Sequence, residues 1–299
     1  TVTINDGYFE NRIRIASGAD GTIYGGEFGT AVSSSYLAEG VIRYPVEGGY
    51  AVGTEDVAVE AGAVAVVEGT GIAYTNLQEA INNASDGDTI KLLTDIGSEQ
   101  TPATETSSIV FDKAGANVTF DLNGHSLYLT NGTVDVNNGL RFMIVRAGTV
   151  IVTNSQQNGG VISSSGIPFR IAPNQKIEAK LILAVFLTPQ REAIVSDGSA
   201  YYAVLETSAD LDTPTTFAAI QGNGTSHGTS ITVNGGRLTS NFSAIYQPQF
   251  GKLVINDGVL EGQVSGMEIR GGSLEITGGE IIAHGEFQRI KNDNGSTLY

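Results

Sequence analysis

The sequence predicts an all-β chain built as a parallel solenoid, a stack of coils each made of short strands, and three observations predict it. The first is a phrase that recurs near the C-terminal end: an aliphatic residue, a small or polar residue, a glycine-containing bend, then a hydrophobe two positions on. It reads Val233-Asn234-Gly235-Gly236-Arg237-Leu238, then Ile255-Asn256-Asp257-Gly258-Val259-Leu260, then Ile276-Thr277-Gly278-Gly279-Glu280-Ile281, so the bend glycine advances by 22 and then 21 residues. The second is the same phrase at the other end, Ile4-Asn5-Asp6-Gly7-Tyr8-Phe9 and Ile23-Tyr24-Gly25-Gly26-Glu27-Phe28, with a step of 19. The third is the use of glycine: 39 residues with no G-x-y period, which excludes collagen and assigns them to turns.

The phrase has a chemical reason in such a stack. Every second side chain of a strand points into the shared interior, so the aliphatic residue before the bend and the hydrophobe after it fill that interior. Glycine and asparagine occupy the bend because they accept positive φ at little steric cost. Stacking the next coil pairs the backbone N–H and C=O groups of each strand with its neighbours. A charge placed at Ile255 is expected to open the stack locally.

Composition narrows the partners. With 16 Lys plus Arg against 32 Asp plus Glu the net charge is −16, which repels phosphate backbones and anionic lipids, so no nucleic-acid partner is expected. The absence of cysteine excludes disulfides, thiolate metal sites and cysteine nucleophiles. The longest apolar run, Leu181–Leu187, is far short of the roughly 20 residues that span a bilayer, so no membrane insertion is expected. The sequence opens at Thr1 without methionine and stops at Tyr299 in what reads as mid-strand, and is expected to be a piece of something longer.

One segment reads as a helix, residues 75–84. Thr75 and Gln78 have the spacing of a capping box, and Leu77, Ala80, Ile81 and Ala84 share one face. Asp86-Gly87-Asp88 ends it, and Thr89 to Leu93 reads as a strand. A short amphipathic helix before the first strand covers the open end of a solenoid, so 75–84 is expected to be a cap. The cap then sits in mid-sequence. Residues 1–50 hold two coil phrases, an irregular finish over 32–40 and a hairpin over 41–52; 51–74 is a connector strand; 75–299 is the cap plus the main stack. Joining 299 notionally to Thr1 gives an uninterrupted coil, so 1–50 is expected to complete the stack of a preceding module or subunit, with Ile4, Phe9, Ile23, Phe28, Leu298 and Tyr299 as assembly residues. A tandem array, a circular permutation and subunit completion all satisfy this. From Ala172 to Asp212 the phrase disappears, although 180–187 and 201–205 still read as strands.

Ser226-His227-Gly228 and Arg289-Ile290-Lys291 are two phrases used by polygalacturonase-like enzymes, but no Asn-Thr-Asp or Asp-Asp precedes His227 to supply the acid–base pair. No catalytic residue is assigned. His125, His227 and His284 lack ligand spacing for zinc. Asp86, Asp88 and Asp95 are calcium candidates through oxygen ligation, against the alternative of acidic turn residues, while Asp210 and Asp212 read as loop charge. No cofactor is expected. Tyr201, Tyr202 and Tyr246, on outer faces or loops, are the candidates for stacking against sugars, and Phe9 and Phe28 fall at inward positions.

The run Ala63 to Val67, Tyr74 to Ile81, Asp86 to Ile90 and Leu92 to Asp95, followed by Asp121 to His125, resembles the opening of pectate-lyase-like β-helix modules in large bacterial surface proteins. Gly25 to Phe28 with Val32 to Gly40 resembles the close of such modules. The resemblance implies a right-handed, single-stranded parallel β-helix, extracellular, at the surface of Gram-positive-type bacteria, and it carries over no catalytic residue. The expected function is a non-enzymatic spacer, adhesin or filament subunit whose partners are other copies head to tail. Recognition of host or bacterial glycans is the alternative, and a polysaccharide lyase or hydrolase a third.

Overall fold

The computed structural model describes residues 1–16, 18–130, 141–156, 160–172, 203–213, 218–222, 227–285, 290–291 and 297–298. At 56% strand and 7% helix the chain is all-β. Its body consists of three ladders of parallel strands. One runs through 89–91, 117–121, 149–153, 203–207, 229–233, 251–255 and 273–276. The next runs through 127–129, 161–164, 210–213, 237–240, 259–262 and 280–283. The third runs through 109–112, 141–147, 167–171, 220–221, 243–247 and 265–269. The chain visits the three in the same order each time, so every repeat adds one strand to each ladder.

Register explains the phrase. In the first ladder Ile90, Phe120, Val152, Thr207, Val233, Ile255 and Ile276 are successive partners. All but Ile276 are buried. In the second, Leu127, Ile162, Leu211, Leu238 and Leu260 are aligned and fully buried, and Ile281 follows them. Each buried aliphatic side chain contributes roughly 1.5–3 kcal/mol of transfer free energy. Thr207, the polar member of the first column, accepts a hydrogen bond from the Ala209 N–H (3.2 Å), which satisfies its hydroxyl. The bends are stacked as closely as the strands. Gly258 has φ +101°, and a Cβ there would lie 2.8 Å from the Gly236 carbonyl oxygen one coil away, so both conformation and space require glycine.

The cap forms over Leu77–Asn83. Leu77, Ala80, Ile81 and Ala84 are buried, as the periodicity predicts. The capping differs from expectation: Asn76, not Thr75, is the N-cap, its Oδ1 accepting from the Glu79 N–H at 3.1 Å. Gln78 is thereby released for another task. Its amide accepts from the Val110 N–H (2.7 Å) and donates to the Val110 carbonyl (2.9 Å), in place of the neighbouring strand that the first rung of the third ladder would otherwise need.

Residues 1–28 form two further coils, with Val2–Ile4 parallel to Gly21–Ile23 and Tyr8–Phe9 parallel to Gly26–Phe28. A hairpin of Val41–Val46 and Gly49–Thr54 joins them to the body, since Gly49–Thr54 runs antiparallel to Gly26–Phe28 and Arg43 is aligned with Ile72. The expected connector strand over 51–74 is corrected here: it contains a helix, Glu55–Glu60, and an antiparallel pair, Ala65–Val67 with Ile72–Tyr74, which leads onto Thr89–Leu92. Arg43, almost fully buried, fastens this junction. Its guanidinium donates to the carbonyls of Val32 and Thr70, one from the first coils and one from the body, and burial pushes its pKa down.

Candidate functional site at the ends of the stack

The rung formed by 273–276 and 280–283 pairs on one side only among the described residues. Its inward-register side chains are consequently uncovered: Leu274 is 43%, Ile276 48% and Ile281 40% exposed, whereas Leu253, Ile255 and Leu260 one rung below are at 0%. The sequence phrase predicts inward positions at Ile276 and Ile281. The signal that they lie at an end is that this is the last copy of the phrase.

The opposite end has the same character. Val2–Ile4 and Tyr8–Phe9 each pair with one strand, Val2 and Tyr8 are exposed, and Ile4 is half-buried. Phe9 stacks on Phe28 with ring centroids 5.1 Å apart and planes 7° from parallel, and among the described residues no aromatic ring lies on its other face. Of the expected assembly residues, Ile4 and Phe9 therefore lie on the outermost rung, while Ile23 and Phe28 lie one rung inside and are buried. Leu298 pairs with Ile290 in a separate small antiparallel ladder, and Tyr299 lies outside the described residues.

The two ends are written in one register. Ile4 is aligned with Ile23 and Phe9 with Phe28, as Ile255 is with Ile276 and Leu260 with Ile281. The bend glycines Gly7, Gly26, Gly258 and Gly279 all have positive φ. Beside the bend runs a side-chain ladder: Asn256 Nδ2 donates to Asn234 Oδ1 (2.8 Å), and Thr277 Oγ1 donates to Asn256 Oδ1 (2.8 Å). Asn5 holds the corresponding phrase position at the far end. Outside the last rungs, Glu261 receives hydrogen bonds from His284 Nε2 (2.6 Å) above and from Arg237 below. The His284 bond, aided by Arg237, holds its carboxyl below the usual carboxylate range despite opposing desolvation.

The other candidates are dispersed. Asp88 accepts from the Ser85 N–H (2.7 Å) within its own turn, whereas Asp86 accepts from the Asn117 N–H (2.8 Å) and Asp95 from the Ser126 N–H (2.8 Å), each 31 positions on. Among the described residues no three His, Cys, Asp or Glu side chains gather as a metal site. Asp210 accepts from the Arg237 N–H (2.7 Å), and Asp212 from the hydroxyls of Ser163 and Thr239. Tyr246 is half-buried on the third ladder with the Arg270 guanidinium 5.3 Å from its ring centroid. Tyr201 and Tyr202 lie outside the described residues. Comparison with protein families, with curated proteins and with solved structures gave no match.

Proposed function

We propose that the three ladders wind as one right-handed, single-stranded parallel β-helix and that the chain is a non-enzymatic structural or adhesion module of a bacterial cell surface, stacking head to tail into a stalk or filament. The observation that carries this reading is the pair of uncovered rungs, Leu274, Ile276 and Ile281 at one end and Val2, Ile4 and Phe9 at the other, matched in phrase and strand polarity. Docking the 1–9 coil of one copy on the 273–283 rung of the next sets Ile4 on Ile276, Phe9 on Ile281 and Asn5 on Thr277. This covers two apolar ends and supplies each free strand edge with a parallel neighbour. Such a contact is heterologous, so it propagates rather than closing after two copies. Within one chain the 1–9 strands do not pair with the last rung among the described residues, which favours a second copy or a tandem module over closure of one chain on itself.

Analytical ultracentrifugation and negative-stain electron microscopy over a concentration series test the proposal. Rods that lengthen with concentration support it, and a uniform population of single particles at all concentrations rejects it.

A further inference from the structure

A cavity of about 400 Å³ opens in the first coils, between residues 12–15 and residues 30–36. Its cause is local. In the body, the side of each coil that follows the second-ladder strand is filled by the third ladder, where Phe111, Met143 and Phe169 are fully buried. In the first coils no strand occupies that side: the chain passes from Phe9 to Gly21 and from Phe28 to Ser34 without one, and it brings Ile13, Ile15, Ala31 and Val32 to the gap where the body brings larger side chains. Shorter side chains on irregular backbone leave that part of the interior unfilled, with the buried Ile23 as part of its wall. The polar lining is one-sided in charge. Thr30, Ser33 and Tyr36 add hydroxyls, Arg12 and Arg14 stand exposed at the edge, and no lining residue is acidic, in a chain with twice as many acidic as basic residues. Among the described residues neither Arg12 nor Arg14 forms an ion pair.

The size lies within the range of about 300–1,000 Å³ that small-molecule sites occupy. The lining restricts what enters. Two accessible guanidiniums two positions apart present forked donors that match the oxygens of a carboxylate or phosphate, and the neighbouring hydroxyls can bond to the same oxygens. The wall of Ile13, Ile15, Ile23 and Val32 favours hydrocarbon behind that head group. Neither half suffices alone: a bare anion would leave the isoleucine wall against water, and a neutral hydrocarbon would leave the guanidiniums unmatched. We propose that this cavity binds a small amphiphilic oxyanion, a carboxylate or phosphate monoester on a compact hydrocarbon body, with Arg12 and Arg14 holding the oxygens and Ile13, Ile15 and Val32 enclosing the hydrocarbon. The site is separate from the head-to-tail contact, which uses the strands at 2–4 and 8–9.

The test is NMR titration of the full chain, labelled at isoleucine methyls, at a dilution where it sediments as single particles, so that binding is read apart from assembly. The probes are octanoate and octyl phosphate, with 1-octanol supplying the hydrocarbon without the anion and acetate the anion without the hydrocarbon. At least one of the two amphiphiles should shift the Ile13, Ile15 and Ile23 methyls saturably and leave Ile255 in place, with affinity falling as salt rises. The tighter of the two names the head group. Octanol and acetate should each bind at least tenfold more weakly. Replacing both arginines, Arg12→Gln with Arg14→Gln, should weaken the amphiphile at least tenfold, since both are exposed and their loss leaves the fold intact, whereas Arg270→Gln on the third ladder should change nothing. Ala31→Leu, which fills the cavity from its wall, should also abolish binding. The proposal is overturned if neither amphiphile shifts these methyls, if 1-octanol binds as tightly as both, or if either the double arginine variant or Ala31→Leu binds as the parent does.

Discussion

Ile255 and Ile276 occupy the same position of the phrase on adjacent rungs, one at 0% and the other at 48% exposure, so truncating each measures what an uncovered rung lacks. Ile255→Ala removes buried methyl groups between Val233 and Ile276 and leaves a cavity, which costs about 2–5 kcal/mol. Ile276→Ala surrenders only the half of its transfer free energy already gained, roughly 0.7–1.5 kcal/mol, and leaves no enclosed cavity because one side is open. Urea unfolding at concentrations that keep the chain monomeric should separate the two by about 2 kcal/mol, as a difference in midpoint at constant slope. At concentrations where copies associate, Ile276 becomes covered and its truncation should abolish assembly while the monomer stays folded. Equal destabilisation of the monomer by the two substitutions would mean that Ile276 is already packed within one chain and that this rung is not an open end.

Three other outcomes follow from the same geometry. Gly258→Ala sets a Cβ 2.8 Å from the Gly236 carbonyl at φ +101° and should cost about 1–3 kcal/mol by thermal unfolding, more than Gly48→Ala, where φ is also positive but nothing lies within 4 Å. Arg43→Ala leaves the Val32 and Thr70 carbonyls without their buried donor and should lower amide-exchange protection in residues 1–37 before it affects the body, at a cost of about 3 kcal/mol. Glu261 has a folded pKa below its unfolded value, so its contribution to stability is present above the unfolded pKa near 4.3 and is lost as pH falls through the folded one. An NMR titration of Glu261 should show that depressed midpoint, and His284→Ala should raise it toward the ordinary range.

Much of this arrangement is legible in the sequence because its rule is local. An aliphatic residue, a bend with positive φ and a hydrophobe two positions on specify which side chains share the interior, so Val233, Ile255 and Leu260 could be placed inside from spacing alone. The cap helix was legible for the same reason, through the period of Leu77, Ala80, Ile81 and Ala84. Features that depend on a distant partner were not. Gln78 reads as part of a capping box until the edge at Val110, 32 positions on, is beside it. The helix Glu55–Glu60 is six residues long and carries Val57 and Val59, so no periodic signal distinguishes it from a strand, although Glu55 and Asp56 suit a helix N-terminus. The third ladder has no glycine phrase, and the alignment of Ile144 with Arg170 depends on register between strands 26 positions apart.

The first coil of one copy is proposed to dock in register on the last rung of another, and the absence of native cysteine makes that directly measurable. Strand neighbours about 4.8 Å apart are within disulfide reach, so Asn5→Cys combined with Thr277→Cys places two thiols that meet only between copies. Mild oxidation of the double variant should give a ladder of covalent multimers on a non-reducing gel, with each single variant failing to extend beyond a dimer. A double variant that remains entirely monomeric under the same oxidation would contradict the account.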